Sequence, residues 1–321
     1  MLDTKSLETP ILDPTTDADP YLRRFETLDL FSHYCYQLHS EFDQQWLQTH
    51  QASFHNQFHV FANVEFSRTV CQAAVKSNFD PLGLLEQLDL HNQLLTEEMS
   101  SLDPHIDVTP FLATSNDLTM SFTLAMLVHD LGDIAKKNPS GEIEFLNAYT
   151  FKDSENRSIE IALDFISQAK FLNKDQKQRI IPLVLRIVTE TTSDLPSNQT
   201  SKPFALATRY FDQIGNEVMN HKMTTDQDGH ETLQQLNPYY QQGLLEEIIN
   251  LNPNATIKNP YNIINFATNR LTDLNIDLNT HQKIMQLFPD HSFRPLDESI
   301  PKTEMSAFDL LSLLPPLPPK P

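Results

Sequence analysis

The chain has 321 residues, of which 39% are hydrophobic, and its formal net charge is −20. This length is enough for one large domain, or for one domain with an appended segment. The negative charge excludes general nucleic-acid binding, because a phosphate backbone would be repelled. The only cysteines, Cys35 and Cys71, form no CxxC pair, which argues against disulfides and thiolate zinc sites. Only six glycines and few β-branched runs favour a mostly helical protein.

Residues 1–20 are polar and contain three prolines, which predicts a loose N-terminal arm. This segment has neither the basic region nor the apolar region of a Sec-type signal peptide. No apolar run approaches the roughly 20 residues of a membrane span, so no membrane association is predicted. We therefore expect the protein in the cytoplasm, and delivery into the cytoplasm of another cell stays open.

Helical periodicity begins at Tyr21, where apolar residues recur on one side of the predicted helix. Capping residues precede a helix that ends near His129, and residues 131–153 have the glycine and proline of a loop. No convincing strand pattern is present, so the chain predicts an all-α fold. Further helices are predicted at about 56–78, 81–100, 155–171, 174–192, 203–220, 238–250, 260–273 and 279–288.

Two apolar stripes carry residues that are unusual for a core. In a helix, one face would hold His55, His59, Ala62 and Phe66. The stripe of the helix that ends near residue 129 holds Leu118, Phe122, Ala125 and His129, with Asp130 at the helix end. A buried aspartate is costly without a cation or hydrogen-bond donors nearby. Two imidazoles brought together with carboxylates make a good site for a divalent ion.

Four segments resemble, in order, the HD-domain metal-dependent phosphohydrolase superfamily. They are "FHNQFHV", "LAMLVHDLGD", "KDSENRSIEIALDFI" and "FALATRYFDQIGN", and the resemblance covers about residues 25–220. It implies an all-α HD-domain helical bundle, here with a helical C-terminal extension. It also implies a single divalent metal ion, of the set Mn, Fe, Co, Ni, Zn or Mg, with the ligands His59, His129, Asp130 and Asp212.

The same resemblance implies roles around the ion. His55 matches the residue that protonates the leaving oxygen in cyclic-nucleotide phosphodiesterases, and a carboxylate such as Asp130 can take the proton of the attacking water. Glu155 could orient a ligand or accept a hydrogen bond from the substrate. Two structural alternatives stay open: His55 as a helix-start histidine satisfied by backbone, and Glu155 as a carboxylate favoured by the helix macrodipole.

The chain also departs from the family. No histidine occurs between Leu131 and Phe211, so one metal is expected unless Glu155 or Asp133 supplies a second site. Asp133 stands where cyclic-nucleotide phosphodiesterases carry histidine, which argues against cyclic nucleotides as substrates. The alternative role of Asp133 is that of a loop or cap residue. His59 and His129 are 70 residues apart, longer than usual, so residues 79–117 are predicted to be an insertion that acts as a lid or partner surface.

The predicted organisation is an HD-type metal-binding domain over residues 21–220, an extension packed on it over 221–290 and a proline-rich tail over 291–321. The tail segment from Leu314 to Lys320 fits a polyproline II ligand for an SH3-type partner; the alternative is a disordered end.

The predicted function is metal-dependent hydrolysis of a nucleotide or related small phosphate ester, by a phosphomonoesterase or phosphodiesterase. The alternative is an HD-fold binding or effector protein that recognises a partner through its insertion and tail.

Overall fold

A computed structural model describes residues 23–191, 202–225, 231–293, 296–315 and 317, with backbone alone for 266–268. The predicted arm of residues 1–20 lies outside these ranges, as do most prolines of the C-terminal motif. Within the described ranges, helices dominate and every sheet has only two strands. The predicted all-α class is therefore confirmed.

The first three helices are α1 (Leu28–Trp46), α2 (Gln57–Ser77) and α3 (Leu84–Leu102). The Asn56 side chain accepts hydrogen bonds from backbone N–H groups in the first turn of α2, which fixes where that helix begins. Asn78 ends α2 in the left-handed region with φ 52°, a conformation that asparagine tolerates better than most residues.

The middle of the chain supplies the central helix and its neighbours. A capping box formed by Thr114 and Asp117 starts the central helix, because each residue satisfies a backbone N–H of the other. The elements in order are α4 (Ser115–Val128), α5 (Leu131–Ile134), β1 (Ala135–Lys137), β2 (Ile143–Phe145), α6 (Ser154–Gln168) and α7 (Lys174–Thr191).

Residues 205–220 form a nearly continuous helical rod in three parts. These are α8 (Ala205–Arg209), a π-helical turn (Tyr210–Gly215) and α9 (Asn216–Asn220). A π turn holds more residues per turn than an α-helix and rotates the residues after it around the helix axis, and such turns are frequent at functional sites.

The main core surrounds α4, whose apolar side chains are almost completely buried. This helix packs most extensively against α2 and then α7, with smaller contacts to α1 and α6. Because neighbouring helices cover α4 on several sides, the residues at its C-terminal end lie inside the molecule. Large side chains of this core include Phe31, Phe66, Phe122, Phe165 and Phe211.

The C-terminal part contributes to two apolar clusters. Leu271 and Ile284 belong to the main core, whereas Leu245, Ile264 and Leu310 form a second, smaller cluster. The elements are β3 (His221–Thr225), β4 (Glu231–Gln235), α10 (Tyr240–Leu251), β5 (Thr256–Ile257), α11 (Pro260–Ile264), α12 (Phe266–Asp273), α13 (Leu278–Met285), β6 (Met305–Ser306) and α14 (Ala307–Leu313).

Two features differ from the sequence-based expectation. The described chain contains three antiparallel pairs, β1–β2, β3–β4 and β5–β6, although no strand was predicted. Strands of two to five residues are too short for an alternating pattern to stand out. The predicted tail over residues 291–321 includes β6 and α14, so packed structure continues into that range.

Among the described residues, no helix has both the length and the apolar character needed to cross a bilayer.

Candidate metal centre

His55 and His59 lie on either side of the start of α2. The side-chain oxygen of Asn56 accepts the backbone N–H groups of Phe58 and His59, at 2.9 and 3.1 Å. His55 therefore precedes the helix, which corrects the expectation that both histidines share one helical face. The two rings are still in edge-on contact, with centroids 5.2 Å apart, and His59 is 1% exposed.

His129 ends α4, and its backbone N–H donates to the carbonyl of Ala125. Its Nδ1 lies 3.0 Å from the carbonyl oxygen of Met126. Because a carbonyl only accepts hydrogen bonds, Nδ1 carries the hydrogen and Nε2 is left to face the interior. Asp130 follows immediately, and both residues are buried as predicted.

Asp212 lies in the π turn and reaches His59 together with Asn216. Its Oδ1 is 3.1 Å from His59 Nε2, while the Asn216 amide contacts His59 Nδ1. The Oδ1 of Asn216 has no hydrogen-bond partner among the described residues. If this amide is turned by 180°, Nδ1–H of His59 donates to that oxygen and Nε2 keeps its lone pair.

The four predicted ligands converge on one point. One ligand atom each from His59, His129, Asp130 and Asp212 lies within 4.8 Å of the others. Asp130 Oδ2 is 3.0 Å from Nε2 of both His59 and His129. Asp212 Oδ1 is 3.5 Å from His129 Nε2. Side chains from α2, from the end of α4 and from the π turn therefore form one buried cluster.

The chemistry of these atoms fits a cation. His129 Nε2 and Asp130 Oδ2 are buried without a hydrogen-bond partner among the described residues, although they are 3.0 Å apart. A short separation without hydrogen-bond geometry is expected of ligand atoms arranged around a shared ion. Buried charges are normally paired or bound to metal, and two imidazoles with two carboxylates suit a divalent ion. This cluster could hold a metal ion.

The charges of the cluster stabilise one another. Burial alone would lower the pKa of His129, but the charge of Asp130 outweighs burial and raises that pKa well above its usual range. Burial would raise the pKa of Asp130, whereas the charge of His129 holds it well below its usual range. The carboxylates are therefore charged, and positive charge, on protons or on a cation, is favoured between them.

His55 lies beside the cluster and is held by a carboxylate from the C-terminal part of the chain. Its Nδ1 is 2.6 Å from Oε2 of Glu247. Burial opposes protonation of the ring, but Glu247 and then Asp130 outweigh burial and raise the pKa of His55 to about 10. The alternative that backbone groups satisfy this ring is not what the structure shows.

Asp133 also lies next to the cluster. One ligand atom each from His55, Asp130 and Asp133 lies within 4.8 Å of the others. Asp133 is 5% exposed, and its Oδ1 has no hydrogen-bond partner in the described part of the chain. Burial, followed by the charge of Asp130, raises the pKa of Asp133. The position predicted as a loop or cap residue is thus a buried neighbour of the site.

Glu155 is not a member of either group of potential ligands. It lies half-buried in the first turn of α6, and its catalytic role stays a prediction. The residue of α6 that supports the site is Ser158. Its Oγ accepts the N–H of Gly132 at 2.9 Å and donates to the carbonyl of His129 at 2.6 Å, so it ties the turn after α4 to α6.

Sequence reasoning missed several supporting residues. Glu247 belongs to none of the motifs, and a glycine inside α10, Gly243, was a local signal of a close approach near it. Asn216 is the last residue of the fourth segment, but no role was assigned to it. His39 is 1% exposed, and its Nδ1 lies 3.1 Å from the carbonyl oxygen of His55. Its position four residues after Cys35 places it on the buried side of α1, which periodicity alone could have indicated.

No protein-family model, curated protein or solved structure matches this chain. The resemblance to HD-domain proteins therefore rests on the four sequence segments.

Proposed function

We propose that this protein is a metal-dependent phosphohydrolase of the HD-domain type, acting on a nucleotide or another small phosphate ester. The observation that carries the proposal is the convergence of His59, His129, Asp130 and Asp212 at the buried end of α4. Their order along the chain is the order of the superfamily that the sequence resembles. A chance pair of adjacent histidine and aspartate would have no reason to meet two further ligands.

The four convergent side chains would hold one divalent ion. When bound, such an ion lowers the pKa of a water and polarises phosphoryl oxygens. Asp130 would accept a proton from the attacking water through the carboxylate oxygen that does not bind the ion.

His55 is the candidate proton donor to the leaving oxygen. Glu247 occupies its Nδ1, so Nε2 is the nitrogen left to meet a substrate. Its pKa of about 10 keeps the ring protonated at neutral pH, so His55 carries the proton that a leaving oxygen requires.

Aromatic side chains beside His55 support a nucleotide as substrate. The ring of Phe151 is 44% exposed and lies edge-on to His55, with centroids 5.5 Å apart. Half-buried Phe54 also lies edge-on to His55, with centroids 4.7 Å apart. Exposed aromatic rings stack on nucleobases irrespective of base identity, which favours a substrate with a planar base.

The test is turnover by the purified full-length protein supplied with Mn²⁺, Co²⁺, Ni²⁺ or Mg²⁺. A panel of nucleotides and bis(p-nitrophenyl) phosphate serve as substrates. We expect turnover that falls by at least roughly 100-fold in Asp130→Ala, because a ligand and proton acceptor is lost. Asp175→Ala, the same change at the exposed start of α7, should keep wild-type activity.

One result would favour the effector alternative instead. If the protein binds metal in stoichiometric amount and turns over no substrate of the panel, the cluster serves structure or partner binding. Turnover that survives unchanged in Asp130→Ala would place the chemistry elsewhere.

A further inference from the structure

Two adjacent glutamates of α10 hold the segment that carries His55. Glu246 Oε2 accepts the backbone N–H groups of Gln51 and Ala52, at 2.7 and 3.1 Å. Glu247 Oε1 accepts those of Phe54 and His55, at 2.7 and 3.2 Å. The segment before α2 is therefore fixed by side chains almost 200 residues further along the chain.

Glu247 makes one contact that Glu246 does not make. Its second oxygen, Oε2, lies 2.6 Å from Nδ1 of His55. Since a carboxylate accepts and Nδ1 must then donate, this contact fixes the ring orientation and assigns Nε2 to the substrate side. Within this pair, only Glu247 combines backbone support with control of the imidazole.

The surroundings make this arrangement rigid. Glu247 is 1% exposed. A side chain at Gly243, one turn earlier in α10, would lie 2.3 Å from the backbone carbon of Ser53, so helix and segment are in direct backbone contact. The ring of Tyr240 packs on Phe54 with centroids 4.8 Å apart. Because α10 is seated this closely, Glu247 has little freedom to leave the imidazole.

We propose that Glu247 is a positioning residue that orients His55 for proton donation, which makes α10 part of the candidate catalytic apparatus. This inference rests on the proposed function, since it assigns a partner to the proposed proton donor. The residue lies outside the range that resembles the HD-domain superfamily, so the C-terminal part of the chain completes the site.

Bonds and protons balance in the proposed step. The water oxygen forms a bond to phosphorus, and the bond from phosphorus to the leaving oxygen breaks with its electron pair on that oxygen. Nε2 of His55 gives its proton to the leaving oxygen, while Nδ1–H of His55 keeps its hydrogen bond to Glu247. The attacking water loses one proton as its oxygen bonds to phosphorus, and one proton returns to Nε2 at the end. A diester is thereby converted to a phosphomonoester and an alcohol, and a monoester to inorganic phosphate and an alcohol.

The test compares two leaving groups in the presence of Mn²⁺. Diphenyl phosphate releases phenolate, which needs a proton, whereas bis(p-nitrophenyl) phosphate releases p-nitrophenolate, which leaves without one. In Glu247→Gln we expect kcat on diphenyl phosphate to fall roughly 100-fold, the size of a general-acid contribution, while kcat on the nitrophenyl ester falls less than about threefold. Glu246→Gln, the adjacent control, should lower both values by one common factor.

Equal losses on both esters in Glu247→Gln, or no loss, would overturn the inference. If Glu247→Gln does not fold, Glu247→Asp is the second variant, because its shorter side chain keeps the charge but moves it away from the ring. Its kcat should also fall much more on diphenyl phosphate than on the nitrophenyl ester. His55→Ala tests the two proposals separately. If His55→Ala slows hydrolysis of diphenyl phosphate much more than hydrolysis of the nitrophenyl ester and the Glu247 variants do not, only the positioning role of Glu247 is rejected. Wild-type protein that cleaves neither ester and no nucleotide rejects the proposed function itself.

Metal content provides a second readout. Glu247→Gln should retain as much Mn²⁺ per chain as the wild type, because Glu247 contacts none of the four convergent ligands in the described structure. Loss of one equivalent of Mn²⁺ from a two-equivalent wild type would show that His55 binds an ion with Asp130 and Asp133, and would overturn proton donation.

Discussion

At the scale of single residues, His91 shows how burial alone sets an acid sensitivity. It lies in α3 with no exposed surface, and neither ring nitrogen has a hydrogen-bond partner among the described residues. Burial, assisted by Arg186 and opposed by Glu98, lowers the pKa of His91 to about 4. An unfolded chain takes up this proton below pH ~6.5, whereas the folded chain does not. The contribution of this group to the free energy of unfolding is therefore fully present above pH ~6.5 and is lost as the pH falls toward 4.

We expect His91→Leu to remove this acid sensitivity. When the pH falls from 7 to 5, the buried neutral ring lowers the free energy of unfolding of the wild type by about 2 kcal/mol. The variant, which has no imidazole here, does not show this decrease. Urea unfolding at both pH values measures the difference. His105→Leu, the same change at an exposed histidine, should keep the wild-type dependence on pH. An unchanged pH dependence in His91→Leu would contradict the assignment.

Residues of the site differ in how far the sequence alone could identify them. His129 and Asp130 were predictable because an apolar stripe leads directly to them, and His59 because it comes after a capping asparagine on a buried face. Glu247 was not predictable, since its partner His55 is 192 residues away and no local pattern encodes that contact. The role of Asn216 was not predictable either, because its partner His59 is 157 residues away.

At the scale of elements, helices were predictable where the apolar spacing of about 3.6 residues is sustained. The predicted rod at 203–220 is helical, but periodicity could not show that Tyr210–Gly215 is a π turn. That turn lets Asp212 and Asn216 reach opposite nitrogens of His59. The hairpin of β1 and β2 was missed because its position depends on where α5 and α6 pack and it has no strand pattern of its own.

The contact between α5 and α6 leaves no room for a side chain at Gly132. A methyl group there would lie 1.9 Å from the carbonyl oxygen of Ser154 and 2.7 Å from the backbone nitrogen of Ser158. Because backbone atoms cannot move aside cheaply, Gly132→Ala should cost roughly 3 kcal/mol of stability and displace the turn that carries Asp130. Thermal unfolding and bound Mn²⁺ per chain are the measurements.

Gly141→Ala is the matched control for this element. Nothing lies near a methyl group there, but φ is +87°, so only a backbone strain of about 1 kcal/mol is expected, with Mn²⁺ binding intact. Equal effects of the two substitutions would show that close packing of α5 on α6 does not determine the geometry of the cluster.

At the scale of the whole molecule, the cluster joins parts of the chain that are far apart in the sequence. Its members come from residues 59, 129, 130 and 212, and therefore from α2, the end of α4 and the π turn. A ligand that binds only the folded arrangement stabilises the entire fold by mass action. An acidic chain with net charge −20 also gains from placing a cation between two buried carboxylates.

A divalent ion should accordingly raise the melting temperature of the protein. At a free concentration of Mn²⁺ about 100 times its Kd, the folded state gains roughly 2.7 kcal/mol, which corresponds to a rise of about 5 °C for a chain of this size. Chelation should reverse the rise. Asp212→Asn keeps the shape of the side chain but removes a charged ligand, so its melting temperature should barely respond to Mn²⁺. Asp175→Asn, the same change at an exposed residue at the start of α7, should respond like the wild type. A full response in Asp212→Asn would mean that the stabilising ion binds elsewhere, and the four side chains would then be only an ion-paired part of the core.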